Sequence, residues 1–482
     1  MYFSRQALVA FVASLLLSSV AMAQEEEWSE DVDETLLGPS DLKITNLLRT
    51  LDLSKPRIRE ITSAAVQNVG TENATEYYHP IDQVYFERLS HITAENRKTK
   101  EPLEIARDEE IFDQEYQFFK VKLSPPLPPG EKMQITIRSS FTGIVRPFPT
   151  HAAQDERQRF IYFGNAFALT AYSSDKQKTT VVVPNSNLEV VTYPEDTEMV
   201  VKNNQVTLGP YKDVGGLEHV VFEVQYELVG AVPHVNHLRR DIEISQWGNN
   251  LAVEEHYKFE NKGAHLKGHF SRIDYQRNPM SAREGNAVLA FQMPIPKLAR
   301  DIYYRDEIGN ISTSSLTHQS DHVILTLAPR FPIFGGWKTT FYTGYNVPLD
   351  GYLRRVPDSD KYILKVPVIV PLKDTSYGEI DIRVVLPEGS KHARVHMPYE
   401  VDFIGMSTTK TYMDSAGRYT IIIEAKNLIE EHGQDMFIEY ELPMEAYLTK
   451  PLAASAMLMA IFASSMVLNR LDFRIGGSIL KK

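Results

Sequence analysis

The chain of 482 residues contains no cysteine. This absence excludes a disulfide framework, thiolate metal ligands, a thiol nucleophile and thiol redox chemistry. A chain without disulfides or thiolate metal sites has to be stable through the burial of apolar surface, which requires large domains. The length predicts two or three such domains.

Clustered positive charge is also scarce. The formal net charge is -12, and the only group of Lys and Arg residues lies at the extreme C-terminus. Proteins that bind nucleic acid normally present a basic surface, so the sequence predicts no nucleic-acid partner.

The common catalytic motifs are missing as well. The sequence has no HExxH helix, no GxSxG elbow, no P-loop and no GxGxxG loop. "VEEHYKFE", around His256, is strand-like, and "HLKGH" separates His265 from His269 by a run that contains Gly268, so neither predicts a helical metal pair. We interpret the acid pairs Asp306/Glu307 and Asp241/Glu243 as solvated strand ends. The sequence therefore predicts no catalytic residue, no metal site and no cofactor.

Long apolar runs are confined to the two ends of the chain. At the N-terminus, Arg5 precedes an apolar segment over residues 7–20, and Ala21-Met22-Ala23 supplies a small-x-small cleavage pattern. These features predict a signal peptide over residues 1–23 with cleavage after Ala23. The alternative is an uncleaved membrane anchor.

Near the C-terminus, residues 452–468 form a run of 17 uncharged residues, close to the minimum for a membrane span. Lys450 precedes the run and Arg470 and Arg474 follow it. This charge distribution predicts a transmembrane helix over residues 451–469, a cytosolic tail over 470–482 and a lumenal body, that is, type I topology. The alternative is a buried helix of a soluble protein.

Between the two ends, short segments rich in Val, Ile, Tyr and Thr predominate, including "HVVFEVQYEL", "YILKVPVIVPL" and "RYTIIIEA". Turn residues bound these segments, and helical periodicity is rare. The sequence therefore predicts a mainly β fold of sandwich-like domains.

Four pairs of short segments recur in the same order along the chain. They pair Asn68 with Asn261, Thr142-Gly143 with Thr343-Gly344, Pro184 with Pro387, and Tyr226 with Tyr440. We interpret the series as an internal duplication. It predicts two tandem lumenal β-rich domains, over residues 24–230 and 231–442. The alternative is two unrelated β domains with similar strand ends.

Two Asn-x-Ser/Thr sequons are present, "NAT" at Asn73 and "NIS" at Asn310. Neither has proline in the middle position, and Gly309-Asn310 is typical of an exposed turn. Both asparagines are predicted N-glycosylation sites. The alternative is an unmodified turn asparagine.

The stretch "PRFPIFGGWKTTFYTGYN", residues 329–346, contains two adjacent glycines among aromatic residues. A ligand-binding loop would be one interpretation. The proposed duplication instead predicts a strand over residues 338–345 with Phe341 on the face opposite its neighbours, preceded by a turn or bulge at Gly335-Gly336. The stretch is then interpreted as structural core, with a subunit interface as the alternative.

That stretch, together with "HLRRDIEISQWGNNLAVEEHYKFENKGAHLKGHFSRIDYQ" and "DIYYRDEIGNISTS", resembles the ribophorin I family. The resemblance is strongest over residues 239–346 and looser in the first domain. It implies a non-catalytic subunit of the oligosaccharyltransferase complex of the endoplasmic reticulum. That complex transfers a preassembled oligosaccharide from dolichol-pyrophosphate to Asn of Asn-x-Ser/Thr in nascent chains.

The resemblance also implies partners: the catalytic multi-span subunit, the other subunits of the complex, the Sec translocon, and nascent polypeptides during substrate presentation. The short predicted tail departs from the long helical tail of animal members and is similar to a fungal-type form. The alternative functions are a single-span lumenal hydrolase and an adhesion-type ectodomain, although the latter usually carries disulfides.

Overall fold

The computed structural model describes residues 41–108, 115–194, 197–277, 286–411, 414 and 416–471. The predicted signal peptide with its cleavage site at Ala23 lies outside the described residues, as does residue 472 onward of the predicted tail. The described part is dominated by strands and ends in one long helix, as the short β-type segments and the C-terminal apolar run predict.

Strand formation follows the alternation of side chains. In the segment 250–261, every second residue from Leu251 onward is buried and most of these residues are apolar, whereas the residues between them are partly or fully exposed. This period of two places one face of a strand on the core and the other in solvent.

The first half of the chain contains short helix α1 (Gln83–Phe86) and the following strands: β1 (Leu42–Asp52), β2 (Ile58–Asn68), β3 (Ala74–Asp82), β4 (Leu89–Asn96), β5 (Pro102–Leu103), β6 (Ile105–Arg107), β7 (Tyr116–Leu127), β8 (Lys132–Phe141), β9 (Arg146–Pro147), β10 (His151–Ala152), β11 (Arg159–Asn165), β12 (Ser174–Val182), β13 (Leu188–Thr192), β14 (Met199–Lys202), β15 (Gln205–Val214) and β16 (Val221–Glu227).

The second half contains helix α2 (Arg272–Arg277), two 3-10 turns (Leu349–Gly351 and Glu430–His432), the long helix α3 (Met444–Arg470) and these strands: β17 (Pro233–Ser245), β18 (Asn250–Asn261), β19 (His265–Leu266), β20 (Phe291–Pro296), β21 (Arg300–Asp306), β22 (Ser314–His318), β23 (His322–Leu327), β24 (Lys338–Pro348), β25 (Leu353–Arg355), β26 (Lys361–Pro367), β27 (Ser376–Val385), β28 (Lys391–His396), β29 (Phe403–Thr409), β30 (Arg418–Leu428) and β31 (Asp435–Glu441).

The two halves have the same sheet topology. The eight-stranded sheet of the first half has the order β14-β15-β12-β1-β2-β8-β4-β5, and the seven-stranded sheet of the second half reads β29-β30-β27-β17-β18-β24-β21. In each sheet the first strand of the half lies in the middle. It pairs antiparallel with the next strand and parallel with a later one, β12 or β27.

The smaller sheets repeat as well. The order β13-β16-β11-β9 corresponds to β28-β31-β26-β25, and β3-β7-β6 corresponds to β20-β23-β22. The β1/β2 ladder shifts register between Ile44 and Asn46, and the β17/β18 ladder shifts at the same place, between Val235 and His237. A bulge kept at one position of an otherwise regular ladder is a specific feature, so the shared register supports the duplication.

Three of the four recurring sequence pairs are structurally equivalent. Asn68 and Asn261 end β2 and β18, Pro184 and Pro387 each lie two residues beyond β12 and β27, and Tyr226 and Tyr440 are buried in β16 and β31.

The fourth pair is wrong. Thr142 follows the end of β8, whereas Thr343 lies in the middle of β24. Gln67 pairs with Lys132 at the start of β8, and the equivalent Glu260 pairs with Lys338 at the start of β24. The two strands therefore correspond from their first residues, so Thr142 is equivalent to a residue at the end of β24 and not to Thr343. A Thr-Gly pair recurs without marking a fixed position, because β register depends on the whole ladder and not on one dipeptide.

The apolar cores lie between the large and small sheets of each half. One cluster in the second half extends from Val235 to Leu442 and joins all three of its larger sheets. The first half has two clusters, one under the four-stranded sheet and one under the three-stranded sheet. This arrangement of packed sheets agrees with the predicted sandwich-like fold.

Among the described residues, two groups of contacts join the two halves. Arg57 and Arg59 both bind the carboxylate of Glu431, at 2.6 and 2.7 Å. On another side, β10 pairs with β19, and the Gln158 side chain accepts a hydrogen bond from the Ala264 amide at 3.0 Å. From Leu42 onward the chain is one compact unit, and the division after Gly230 into two domains stays a prediction.

Candidate functional site

Helix α3 has the properties required to cross a membrane. It runs from Met444 to Arg470, its middle is apolar, and its side chains are exposed along the span. Twenty-seven residues at about 1.5 Å each exceed the thickness of the hydrocarbon core, about 30 Å. The helix begins at Met444, seven residues before the predicted span. Pro443 precedes it in an extended conformation, and Glu445 lies in the first turn, where a negative charge is favourable.

The first turns of α3 are fixed to the second half by an indole. Pro451 lies inside the helix and has no N–H to donate to the carbonyl of Tyr447. The indole Nε1 of Trp247, in the β17–β18 turn, donates to that carbonyl oxygen at 2.8 Å. The two rings also stack, with centroids 4.5 Å apart and planes at 14°. Trp247 therefore satisfies a backbone group that the proline leaves without an intrahelical partner.

A buried carboxylate forms a second attachment. Lys450 Nζ lies 2.6 Å from Asp414 Oδ1, and Arg418 Nε lies 3.1 Å from the other carboxylate oxygen. Burial alone would raise the pKa of Asp414, but hydrogen bonds from Lys450, Thr411 and Arg418 hold this pKa far below its usual range. The carboxylate is thus charged at neutral pH and holds the start of the span against the β29–β30 connection.

A glycine allows the close approach of this helix. Gly389 has φ +86°, and a Cβ there would lie 2.5 Å from the Cβ of Ala446. Any larger residue would meet both a strained backbone and a clash. Trp247, Asp414 and Gly389 together seat the beginning of α3 on one end of the second half, so the orientations of span and β body are coupled.

The sequence predicts the span but not its attachment to the second half. Trp247 lies in a surface turn, about 200 residues before its partner, and no local pattern connects the two. Pro451 after Tyr447 was the one available signal, since a proline inside a helix always frees a carbonyl.

The two sequon asparagines are exposed. Asn73 lies in the turn before β3, and Asn310 lies in the turn after β21. Asp306 Oδ1 shapes the second turn by accepting the amides of Ile308 and Gly309, both at 3.0 Å. The two sites belong to different halves, and their glycosylation stays a prediction.

The stretch around the paired glycines forms part of the core. β24 covers the predicted strand, and Phe341 is 2% exposed. Gly336 has φ +79°, and a Cβ on Gly335 would lie 1.9 Å from the Ala264 carbonyl oxygen. The glycines are thus required for a turn and a close backbone approach, as predicted. Trp337, half-buried, packs against Phe270, Phe331 and Phe334.

One surface cluster brings together acidic residues and a histidine from two neighbouring strands, β17 and β18. Asp241, Glu254 and His256 bring potential ligand atoms within 4.8 Å of one another. Arg239 binds Asp241 at 2.6 Å, His256 binds Glu254 at 2.7 Å, and the Tyr303 hydroxyl donates to Glu254. These partners account for the carboxylates, so we assign the cluster to the hydrogen bonding of the sheet surface. His265 lies apart, in β19, with its ring 5.5 Å from that of His151.

Comparisons with known proteins agree with the resemblance. A family model described as Ribophorin I matches residues 42–469. A Caenorhabditis elegans protein named dolichyl-diphosphooligosaccharide--protein glycosyltransferase subunit 1 is 33% identical over 91% of this chain and 74% of its own length. The Arabidopsis thaliana subunit 1B of the same name is 31% identical over 90% of this chain and 94% of its own length.

Likeness to solved structures is weak. An M1 zinc metallopeptidase from Deinococcus radiodurans has a TM-score of 0.24 and 14% identity over 42% of this chain and 48% of its own. Such a score has no bearing on function. The match over residues 42–469 includes both β halves and almost all of α3, and the relatives above cover about nine-tenths of the chain. The chain therefore belongs to the ribophorin I family.

Proposed function

We propose that this protein is a non-catalytic subunit of the oligosaccharyltransferase complex in the endoplasmic reticulum membrane. The observation that carries the proposal is the alignment of nearly the whole chain with relatives named as subunit 1 of the dolichyl-diphosphooligosaccharide--protein glycosyltransferase. The reaction of such a complex is transfer of the oligosaccharide from its dolichyl diphosphate carrier to asparagine in Asn-x-Ser/Thr. The chain would act beside the subunit that performs this transfer.

The proposed topology is single-pass type I, with the β body in the lumen. The Lys and Arg residues that flank the span support it, since Lys450 precedes the run 452–468, whereas Arg470 and Arg474 follow it closely. An excess of Lys and Arg beside a span favours the cytosolic face.

The proposed role is assembly of the complex and presentation of acceptor polypeptides near the translocon. Its support is the rigid seating described above. Trp247 and Asp414 couple the body to the span, and the ties at Glu431 and Gln158 couple the two halves. A body fixed in this way would hold a bound polypeptide at a constant height above the membrane. The proposed partners are the catalytic multi-span subunit, the remaining subunits, the Sec translocon and nascent chains.

A transfer assay tests the non-catalytic part of this proposal. The full chain is purified alone in mild detergent and incubated with a dolichyl-diphosphate-linked oligosaccharide and an Asn-x-Thr peptide. We expect no glycopeptide from the chain alone and transfer by the intact complex. Glycopeptide formation by the isolated chain would contradict the proposal.

We also propose that Asn310 and Asn73 carry N-linked glycans, on the basis of their exposed turns in both halves. Endoglycosidase treatment should increase the electrophoretic mobility of the wild-type chain. Asn310→Gln and Asn73→Gln should each remove one step of this shift, and the double variant should show none. An unchanged shift in the double variant would exclude both sites.

A further inference from the structure

A cavity of about 360 Å³ lies where the two halves meet. The first half contributes the β1–β2 turn, the loop before β4, and β9 with the loop before it. The second half contributes the start of β17, the residue after β18, the start of β27 and the end of β30. A volume of this size is in the range of small-ligand and side-chain pockets. Because both halves contribute walls, the cavity depends on the fixed junction between them.

The charge around this cavity is opposite to that of the protein. The chain has a net charge of -12, yet the lining contains Lys55, Arg57, Arg88, Arg146 and Lys262. Asp374 supplies the one carboxylate among the lining residues in the described part of the chain, and Lys55 binds it at 2.6 Å.

Two of these cations remain uncompensated. Arg57 binds Glu431 at 2.6 Å, and Lys262 binds Glu260 at 3.0 Å. Arg88 and Arg146 are both exposed, and across the described residues neither has an acidic group within 4.0 Å. Two guanidinium groups that line one cavity, without protein anions within 4.0 Å among the described residues, are suited to bind an anion from outside.

His234 also lines the cavity, and the nearby positive charges affect its pKa. Its Nδ1 atom lies 2.9 Å from the Ser376 hydroxyl. Burial is the main cause that lowers the pKa of His234, to about 4, and the charges of Lys262 and Arg88 lower it further against an opposing effect of Glu260. The imidazole is therefore neutral at pH 7, and the positive charge in the cavity belongs to lysine and arginine.

The lining also has an apolar part, beside polar residues such as Thr142, Thr375 and Asn427. Val145, Val232 and Ile429 are 8%, 9% and 1% exposed, and three prolines, Pro56, Pro147 and Pro233, line the cavity as well. A free inorganic anion would gain nothing from such a surface. A carboxylate carried by a chain with apolar neighbours would satisfy both parts of the site.

We propose that this cavity is a binding site for an acidic segment of an extended polypeptide, with a Glu or Asp carboxylate held by Arg88 and Arg146 and an adjacent apolar side chain against Val145 and Val232. The identification of the ligand as an acceptor polypeptide rests on the presentation role proposed above. The site would favour acceptors with acidic and apolar residues close together.

Fluorescence anisotropy on the purified intact complex tests the site. The probe is a fluorescein-labelled peptide in which Glu and Leu alternate, and the matched peptide has Gln in place of Glu. We expect saturable binding of the Glu peptide that weakens as NaCl is raised, and binding of the Gln peptide at least about tenfold weaker. Equal binding of the two peptides would overturn the proposal.

Variants then assign the binding to the cavity. Complex carrying Arg88→Gln and Arg146→Gln should bind the Glu peptide about tenfold more weakly or worse, whereas Arg88→Lys with Arg146→Lys should retain part of the affinity. Arg354→Gln is the control, because Arg354 is also exposed but lies in β25, outside the cavity. Unchanged thermal stability shows that the variants are folded. Unaltered affinity in the double Gln variant would overturn the proposal.

Two further measurements separate the possible outcomes. Displacement of the peptide by pyrophosphate at concentrations well below those of unlabelled Glu peptide would overturn the assignment to a polypeptide and indicate a phosphate site. In the second measurement, glycosylation of acidic and of neutral acceptor polypeptides is compared between the wild-type complex and the complex that carries Arg88→Gln and Arg146→Gln. Lost peptide binding with unaltered glycosylation of acidic acceptors would contradict the presentation role but not the site, whereas a selective loss supports both.

Discussion

At the scale of single residues, each half buries an arginine at the same place. Arg49 and Arg240 both lie five residues beyond the bulge in the first strand of their half. Arg240 binds Glu255 at 2.5 Å with both side chains 1% exposed, and Arg49 binds Glu60 at 2.7 Å with the glutamate 15% exposed. Glu255 lies directly opposite Arg240 in the ladder, whereas Glu60 lies opposite Leu51, two residues beyond Arg49. The two halves therefore share the buried arginine but differ in the position of its acidic partner.

Arg240→Met should destabilise the second half strongly, because it leaves the Glu255 carboxylate buried without its cation. The expected loss is about 3–5 kcal/mol in the free energy of unfolding. Denaturant unfolding of the detergent-purified chain, followed by intrinsic fluorescence, measures it.

The double variant Arg240→Met/Glu255→Gln is the control. Its neutral amide can still accept the hydrogen bond that Tyr257 gives to Glu255 at 2.7 Å. It should therefore recover much of the lost stability. An equal loss in the single and double variants would show that packing, and not the unpaired charge, causes the effect.

The Trp247–Tyr447–Pro451 arrangement gives a second prediction at this scale. Trp247→Phe keeps a ring to stack but removes the N–H that reaches the Tyr447 carbonyl, so it should cost about 1 kcal/mol. Pro451→Ala restores a backbone N–H that can bond to that carbonyl within the helix. In the Pro451→Ala background, Trp247→Phe should therefore cost close to nothing.

A double-mutant cycle on thermal unfolding of the purified chain measures this coupling. Additive effects of the two substitutions would mean that Trp247 contributes through ring stacking alone.

At the scale of elements, the corners after β2 and β18 show what a short motif can and cannot predict. Asn68 and Asn261 are both fully buried, and each Nδ2 donates to two backbone carbonyls. The Asn-x-Gly pattern predicted this equivalence because the side chain replaces backbone partners at the end of a strand. The Thr-Gly pattern failed because its two threonines make different contacts: the Thr343 hydroxyl donates to the Tyr303 carbonyl, whereas Thr142 accepts from the Ser90 hydroxyl.

The two asparagines should differ in their effect on the junction. The Asn261 Oδ1 atom also accepts the amide of Val232, in the connection between the halves, at 3.1 Å. Asn68→Ala and Asn261→Ala should each cost at least about 2 kcal/mol, because buried carbonyls lose their donors. Only Asn261→Ala should make the 230–232 segment more sensitive to limited proteolysis.

Limited proteolysis of the two variants in parallel, with mass spectrometry of the fragments, makes this comparison, and Asn68→Ala is the matched control. Equal protection of the segment in both variants would show that Val232 is held by its other contacts.

The alternation of apolar and polar residues made the β fold predictable from the sequence. The order of the strands within each sheet was not predictable. Alternation in single strands determines which face is buried, but the parallel pairing of β1 with β12 joins residues more than 120 positions apart. The duplication hypothesis reduced this problem, since it required both halves to have the same order. It did not supply that order, because no residue in a strand encodes its distant neighbour.

At the scale of the whole molecule, the junction between the halves contains a titratable pair. The His432 and His91 rings lie 5.5 Å apart, on opposite sides of the junction. Burial lowers the pKa of His432 to about 4, the His91 charge lowers it further, and Glu431 opposes this effect. Burial likewise lowers the pKa of His91.

Stability should therefore decrease with acidification. In the unfolded chain these histidines take up protons near the ordinary pKa of 6.5, whereas the folded chain takes up a proton on His432 only near pH 4. The unfolded state thus binds more protons in this range, and the stabilisation present above pH 6.5 is lost as the pH falls toward 4. Thermal unfolding between pH 7.5 and 4.5 should show a falling Tm, and His432→Gln should reduce the slope. A slope that the variant leaves unaltered would exclude His432 as its source.

Neither this junction nor the basic cavity beside it was predictable from the sequence. Lys55 and Asp374 are 319 positions apart and become neighbours only when the halves pack. The family resemblance rested on residues of the second half, and the structure adds that the first half has the same design and completes the cavity.

The central claim is that the chain works as a membrane-anchored subunit beside a separate transferase. Affinity purification of the tagged full chain from its native membranes in mild detergent, followed by quantitative mass spectrometry, tests it most directly. The account predicts co-purification, in near-stoichiometric amount, with a multi-span membrane protein and with oligosaccharide transfer activity toward Asn-x-Thr peptides. Recovery of the chain alone, with neither the multi-span protein nor the activity, would contradict it.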